Sequence, residues 1–89
     1  MELTEKVICP YHGVIKEVYI QKQDFVAEKD VLFKIELNQN CELKWIYSGI
    51  QGIVSSLNVN IGGRVTSGMV MASIKAPNSR IITSNFAQE

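Results

Sequence analysis

Hydrophobic positions recur along the chain in two matching series. The stretch GVIKEVYIQKQDFVAEKDVLFKI (13–35) aligns without gaps on GIVSSLNVNIGGRVTSGMVMASI (52–74) at a constant offset of 39 residues. Gly13 meets Gly52, Val14 meets Ile53, Ile15 meets Val54, Val18 meets Leu57 and Ile20 meets Val59. Val26 meets Val65, Val31 meets Val70, Leu32 meets Met71, Ile35 meets Ile74 and, upstream, Val7 meets Ile46. Two halves that share one apolar pattern point to two copies of a supersecondary unit, each covering the apolar face of the other. Two copies make a closed, quasi-twofold domain; a solenoid would need more.

The local period is that of strands. Val18 and Ile20 alternate with Glu17 and Gln21, and Leu57 and Val59 alternate with Asn58 and Asn60, the spacing of a half-buried strand. β-Branched residues dominate the apolar positions, which suits a pleated surface. Ile15 and Val54 fall out of phase with the positions after them, which predicts a bulge or strand break near Lys16 and Ser55. No window carries a capped helical stripe, so helix content is expected to be very low. Between strands the second half has Gly62-Gly63 and Gly68, suited to left-handed turns. The first half has Gln23-Asp24 and Lys29 there, so its turns either differ or are strained.

Composition narrows the function classes. A chain of 89 residues has room for one core and buries only about 60% of its unfolded surface. Nine basic and nine acidic residues are interspersed and cancel, which gives no electrostatic reason to expect nucleic acid or an anionic membrane surface as partner. No apolar run is long enough for a bilayer, and MELTEKVICP lacks the layout of a secretory signal, so a cytoplasmic location is expected. Cys9 and Cys41 fit that compartment as free, half-buried thiols. With His12 as the one histidine in a turn, no metal site is expected. No Ser–His–Asp set, carboxylate pair or phosphate cradle stands out. No catalytic residues are therefore assigned and the chain is not expected to be an enzyme.

With Val7, Pro10, Gly13, Asp24, Val26, Leu32 and Ile35 in the first half, and Ile46, Gly52, Gly62, Val65, Gly68 and Ile74 in the second, the sequence resembles the biotinyl/lipoyl-attachment family over about residues 7–75. The resemblance implies an all-β fold, a flattened quasi-twofold barrel-sandwich hybrid of two four-stranded sheets. It divides the chain into a domain at 1–75, with repeats at about 7–35 and 46–74 joined by a hairpin at 36–45, and a C-terminal extension at 76–89. Carriers of this family present a lysine at the tip of that hairpin, where biotin or lipoate is attached.

In this chain the hairpin reads IELNQNCELKWI (35–46). Counting forward from Ile35 puts Gln39 at the acceptor position, and counting from the middle of a hairpin about two residues longer than usual puts Asn40 or Cys41 there. None can form the acyl-amide link, so no cofactor is expected. Lys44, on the returning strand beside Trp45, is the alternative acceptor for biotin or lipoate. Cys41 has Glu42 beside it, which works against an activated thiolate.

Leu43, Trp45 and Tyr47 share one parity, opposite to the core position Ile46, and should form an outward apolar strip of the kind that marks a docking surface. The extension APNSRIITSNFAQE could cover the strip with Ile81, Ile82 and Phe86, from the same or a neighbouring chain, which would make a homo-oligomer. Pro77 and Asn78 should open it as a turn. These features support three functions, in decreasing order. The first is an unmodified carrier-like domain that serves as an interaction or assembly module with a protein partner. The second is a carrier with an atypical acceptor, and the third a relative of the lipoyl-type domains of efflux adaptors.

Overall fold

The computed structural model describes residues 3–76. It is all-β: β1 (Leu3–Ile8), β2 (Gly13–Val18), β3 (Phe25–Val26), β4 (Val31–Leu37), β5 (Leu43–Tyr47), β6 (Gly52–Leu57), β7 (Arg64–Val65) and β8 (Val70–Ala76). Two four-stranded antiparallel sheets, β1-β8-β6-β3 and β5-β4-β2-β7, face each other as a flattened barrel-sandwich. β2, β3 and β4 begin 39 residues before β6, β7 and β8. β1 begins at Leu3, four residues before the Val7 that opens the apolar pattern. Residues 77–89, including the turn expected at Pro77 and Asn78, lie outside the described residues.

Neither sheet belongs to one half. β3, from the first half, pairs with β6 of the second, and β7, from the second, pairs with β2 of the first. β1 likewise pairs with β8 and β5 with β4, so each half supplies both edge strands of the other's sheet and the two halves interlock. Between the sheets lie Ile15, Leu32, Phe33, Ile35, Val54, Val65, Met71 and Ile74, all essentially without exposed surface. The alternation breaks where the sequence phase breaks. Pairing of β2 with β4 shifts between Ile15 and Glu17, and pairing of β6 with β8 shifts between Val54 and Ser56. A further shift between Val31 and Phe33, against β5, accompanies burial of both Leu32 and Phe33.

The turns of the first half copy those of the second at a steric cost. Gln23 (φ +81°) and Lys29 (φ +74°) take the left-handed conformation of Gly62 (φ +87°) and Gly68 (φ +93°). Long-range bonds hold them there: the Gln23 amide donates to the Val54 carbonyl at 2.7 Å, as that of Gly62 does to Ile15 at 2.8 Å. The Lys29 amide donates to Ser48 at 2.7 Å, as that of Gly68 does to Cys9. Asp24, the residue better suited to positive φ, instead closes the turn with its side chain, accepting from the Gln21 amide at 2.8 Å; Asp30 does the same for Ala27. A left-handed residue with a Cβ is disfavoured by about 1–2 kcal/mol, part of which the extra chain entropy of glycine cancels. Lys29→Gly and Gln23→Gly should therefore each raise Tm, by about 2–8 °C in a domain of this size, as thermal melts would show.

Cys9 and Ser48 occupy matching places 39 residues apart and make the same turn. Cys9 Sγ donates to the Tyr11 carbonyl at 3.2 Å and accepts from the Tyr11 amide; Ser48 Oγ does so with Ile50. The sequence led us to expect two half-buried cysteines. Instead Cys9 is fully buried and Cys41 exposed, because Cys9 follows β1 and packs into the core while Cys41 closes a surface loop. Burial pushes the Cys9 thiol above its ordinary pKa of 9.0, against a smaller opposing effect of the Tyr11 bond. The unfolded chain then loses this proton first as pH rises. The stability tied to Cys9 is thus complete below pH about 9 and declines above it. Cys9→Ser keeps both turn bonds, as Ser48 demonstrates. It should cost about 1 kcal/mol near neutrality and flatten the alkaline decline relative to the parent in chemical denaturation series.

Candidate functional site

The β4–β5 hairpin joins the two halves and exposes its tip. Its stem closes where the Leu37 amide donates to the Glu42 carbonyl at 2.9 Å. Asn38, Gln39 and Asn40 form the turn, and Cys41 returns the chain with φ +61°, its amide on the Leu37 carbonyl at 3.0 Å. The Asn40 side chain fastens the loop from inside by accepting from the Glu42 amide at 3.0 Å. The Asn38 amide reaches back to the His12 carbonyl at 3.1 Å, which ties the loop to the segment between β1 and β2. Asn38 through Glu42 are all exposed. Gln39, Asn40 and Cys41 thus stand together at the tip, and Lys44 stands apart within β5, opposite Ile35.

Lys44 is engaged. Its Nζ lies 2.9 Å from Glu42 Oε2, and that hydrogen bond, with the charge behind it, holds the ammonium above the usual lysine range. The same bond holds the Glu42 carboxyl below the usual glutamate range. Both groups are open to water, so the pair adds little to the stability of the fold. Beside the tip, Pro10, Tyr11, His12, Leu37, Asn38 and Gln39 line a shallow cleft of about 200 Å³. That is smaller than the roughly 300–1,000 Å³ of ordinary small-molecule pockets. Among the described residues no three His, Cys, Asp or Glu side chains converge as a metal site, and no helix is long and apolar enough to cross a membrane.

Among the described residues β5 is an edge strand with β4 as its one neighbour. Leu43, Trp45 and Tyr47 are exposed on it at 40%, 41% and 55%, while Ile46 between them is buried. Lys34 of β4 sets its ammonium 5.9 Å from the centre of the Trp45 ring, a cation–π contact across the strand pair. The quasi-twofold mate of β5 is β1, the edge of the other sheet, and there the matching positions hold Thr4, Lys6 and Ile8. One architectural position therefore accepts threonine and lysine in one half and leucine and tryptophan in the other. The barrel does not require the apolar strip. That internal comparison escaped the sequence reading, although the offset of 39 residues, carried back to Thr4 and Lys6, holds it. Ile81, Ile82 and Phe86, considered as a cover for the strip, lie outside the described residues.

No protein-family model matches the chain, and no curated protein matches it in sequence. Solved structures do match in shape. Kluyveromyces lactis urea carboxylase superposes with a TM-score of 0.72 at 21% identity over 80% of this chain. A single-chain, multi-domain long-chain acyl-CoA carboxylase superposes with a TM-score of 0.74 at 12% identity over 89% of it. A succinylglutamate desuccinylase/aspartoacylase from Rhodobacter sphaeroides gives 0.67 at 20% identity over 80%. The chain spans 6%, 8% and 22% of these three proteins. At such identities the likeness is one of fold, and it joins carboxylases and a deacylating enzyme alike.

Proposed function

We propose that this domain is a carrier-type barrel used without a prosthetic group, as a non-enzymatic interaction or assembly module of the cytoplasm. The observation that carries the reading is the chemistry of the hairpin tip. Attachment of biotin or lipoate needs a free amine that a ligase can surround and that can swing afterwards. The tip offers the amides of Asn38, Gln39 and Asn40 and the thiol of Cys41. The amine nearest in sequence, on Lys44, sits within a strand and is paired with Glu42. It stands off the tip, where a ligase would have to surround it, so these residues do not fit a biotinyl or lipoyl group. The two carboxylase matches are compatible with descent from a carrier, and the desuccinylase/aspartoacylase match is compatible with other uses of the same barrel. What remains for function is surface, and the strip of Leu43, Trp45 and Tyr47 is where this chain departs from the needs of its own fold.

The reading is tested by incubating the purified chain with ATP and biotin in the presence of a biotin protein ligase, and separately with lipoate and a lipoate ligase. No gain in intact mass is expected under conditions that load a known carrier domain to completion. A gain that maps to Lys44 and is lost in Lys44→Arg would replace this reading with that of an atypical carrier.

A further inference from the structure

We propose that β5 is a self-association edge: two copies of the chain pair their β5 strands antiparallel about Trp45 and join their four-stranded sheets into one. The proposal rests on the interaction-module reading and names the partner as a second copy. Its first support is the backbone. The Leu37–Glu42 pair is hydrogen-bonded, and antiparallel ladders alternate. Lys44 and Ile46 therefore turn their amides and carbonyls to β4, opposite Ile35 and Phe33, and Leu43 and Trp45 turn theirs to the open edge. Among the described residues no strand pairs with that edge.

The second support is the way the other edges are guarded. Proteins protect exposed strand edges with short strands or with lysine. β3 and β7 are two residues long, and β1 carries Lys6 at its centre. β5 runs for five residues and carries Trp45 at the position of Lys6, and its own lysine, Lys44, is tied to Glu42.

Third, the strand LKWIY is complementary to itself in one register. Pairing about Trp45 sets Trp45 against its copy, Leu43 against Tyr47 and Lys44 against Ile46. The single charge of the strand never faces its like, and Glu42 of the same chain already neutralises it. The outward groups of Leu43 and Trp45 then fall at hydrogen-bonded positions. Five-residue strands bury far less than the roughly 1,200–2,000 Å² of a standard interface, so the pairing is weak and depends on concentration.

Sedimentation equilibrium of the full chain over a wide concentration range tests this. The mass should climb from 10.0 kDa towards twice that value. Trp45→Glu, which sets a carboxylate opposite Lys34, and Leu43→Lys, which sets an ammonium opposite Glu36, should each hold it at one chain with an unchanged circular dichroism spectrum. Register is tested in a Cys41→Ser background. Trp45→Cys should crosslink to its copy on mild oxidation, because the paired Cα atoms would lie about 5.5 Å apart, within disulfide reach. Leu43→Cys should not, since its copy would lie more than about 13 Å away along the strands. A single-chain mass at every concentration overturns the proposal, whether another protein or residues 77–89 occupy the edge. So does a dimer that survives both charge variants, or equal crosslinking at both cysteine positions. None of these outcomes touches the question of modification, which is read from the mass of each chain alone.

Discussion

Replacing Gly13 or Gly52 by alanine should cost about 3 kcal/mol or more and lower the denaturation midpoint far below that of the parent, the largest effect expected of any single methyl group here. Gly13 opens β2 and pairs on one side with Leu37 and on the other with Val65. A Cβ there would overlap the Glu36 carbonyl oxygen and stand 2.9 Å from Ile35 Cγ2. At Gly52 it would stand 2.6 Å from the Lys75 carbonyl oxygen and 3.0 Å from Ile74 Cγ2. These obstacles are backbone in the middle of a ladder and fully buried isoleucines, so neither can yield without opening β2–β4 or β6–β8. Relief would need strand separation, where a loop glycine would need only a small shift. Gly63 offers the control, since a Cβ there would meet only the Asn60 backbone, at 3.1 Å and beyond. Denaturant titrations of Gly13→Ala, Gly52→Ala and Gly63→Ala should separate the first two from the third. Equal midpoints for all three would remove close approach as the reason for the paired glycines.

Phe33→Ala should be comparably damaging, at about 3–5 kcal/mol, the range found for large aromatic truncations in tight cores. Phe33 is the largest side chain with no exposed surface, and it pairs with Val18 on one side and Ile46 on the other. Its counterpart 39 residues on is Ala72, also fully buried. Bulk at this pair of positions thus comes from one half, and the variant would leave alanine at both. Calorimetry should register the loss, and Phe33→Leu, which keeps most of the volume, should recover more than half of it. A Phe33→Ala variant within about 1 kcal/mol of the parent, the median effect of any substitution, would mean that the core collapses freely, contrary to its interlocked sheets.

These two positions also show what a sequence can and cannot reveal in such a fold. Gly13 and Gly52 were legible because the duplication prints the same requirement twice at one spacing. The bulges near Lys16 and Ser55 were legible for the same reason, as a phase break occurring in both halves. Phe33 was not, because strict alternation from Leu32 turns it outward and only the register shift against β5 brings both residues inside. The exchange of β3 and β7 between sheets was hidden as well, since a repeat says that two units are alike without saying which strand pairs with which. Positive φ at Gln23 and not Asp24 arises because the Val54 carbonyl requires the amide of Gln23, a contact across 31 residues of chain that no local propensity encodes. At the hairpin, the identities of the tip residues and the parity of Leu43, Trp45 and Tyr47 could be read directly from the sequence. The tie between Lys44 and Glu42, two residues apart and on one face of the extended chain, was not drawn from the sequence because a spacing of two does not by itself fix a side-chain contact.

The central claim, an unmodified barrel, is tested most directly by the intact mass of the protein purified from its native host. We expect the mass of the bare chain, with no adduct on Lys44 or on the residues of the tip. A mass raised by one biotinyl or lipoyl group, placed on Lys44 by peptide mapping, would contradict the account and make the hairpin a working carrier arm.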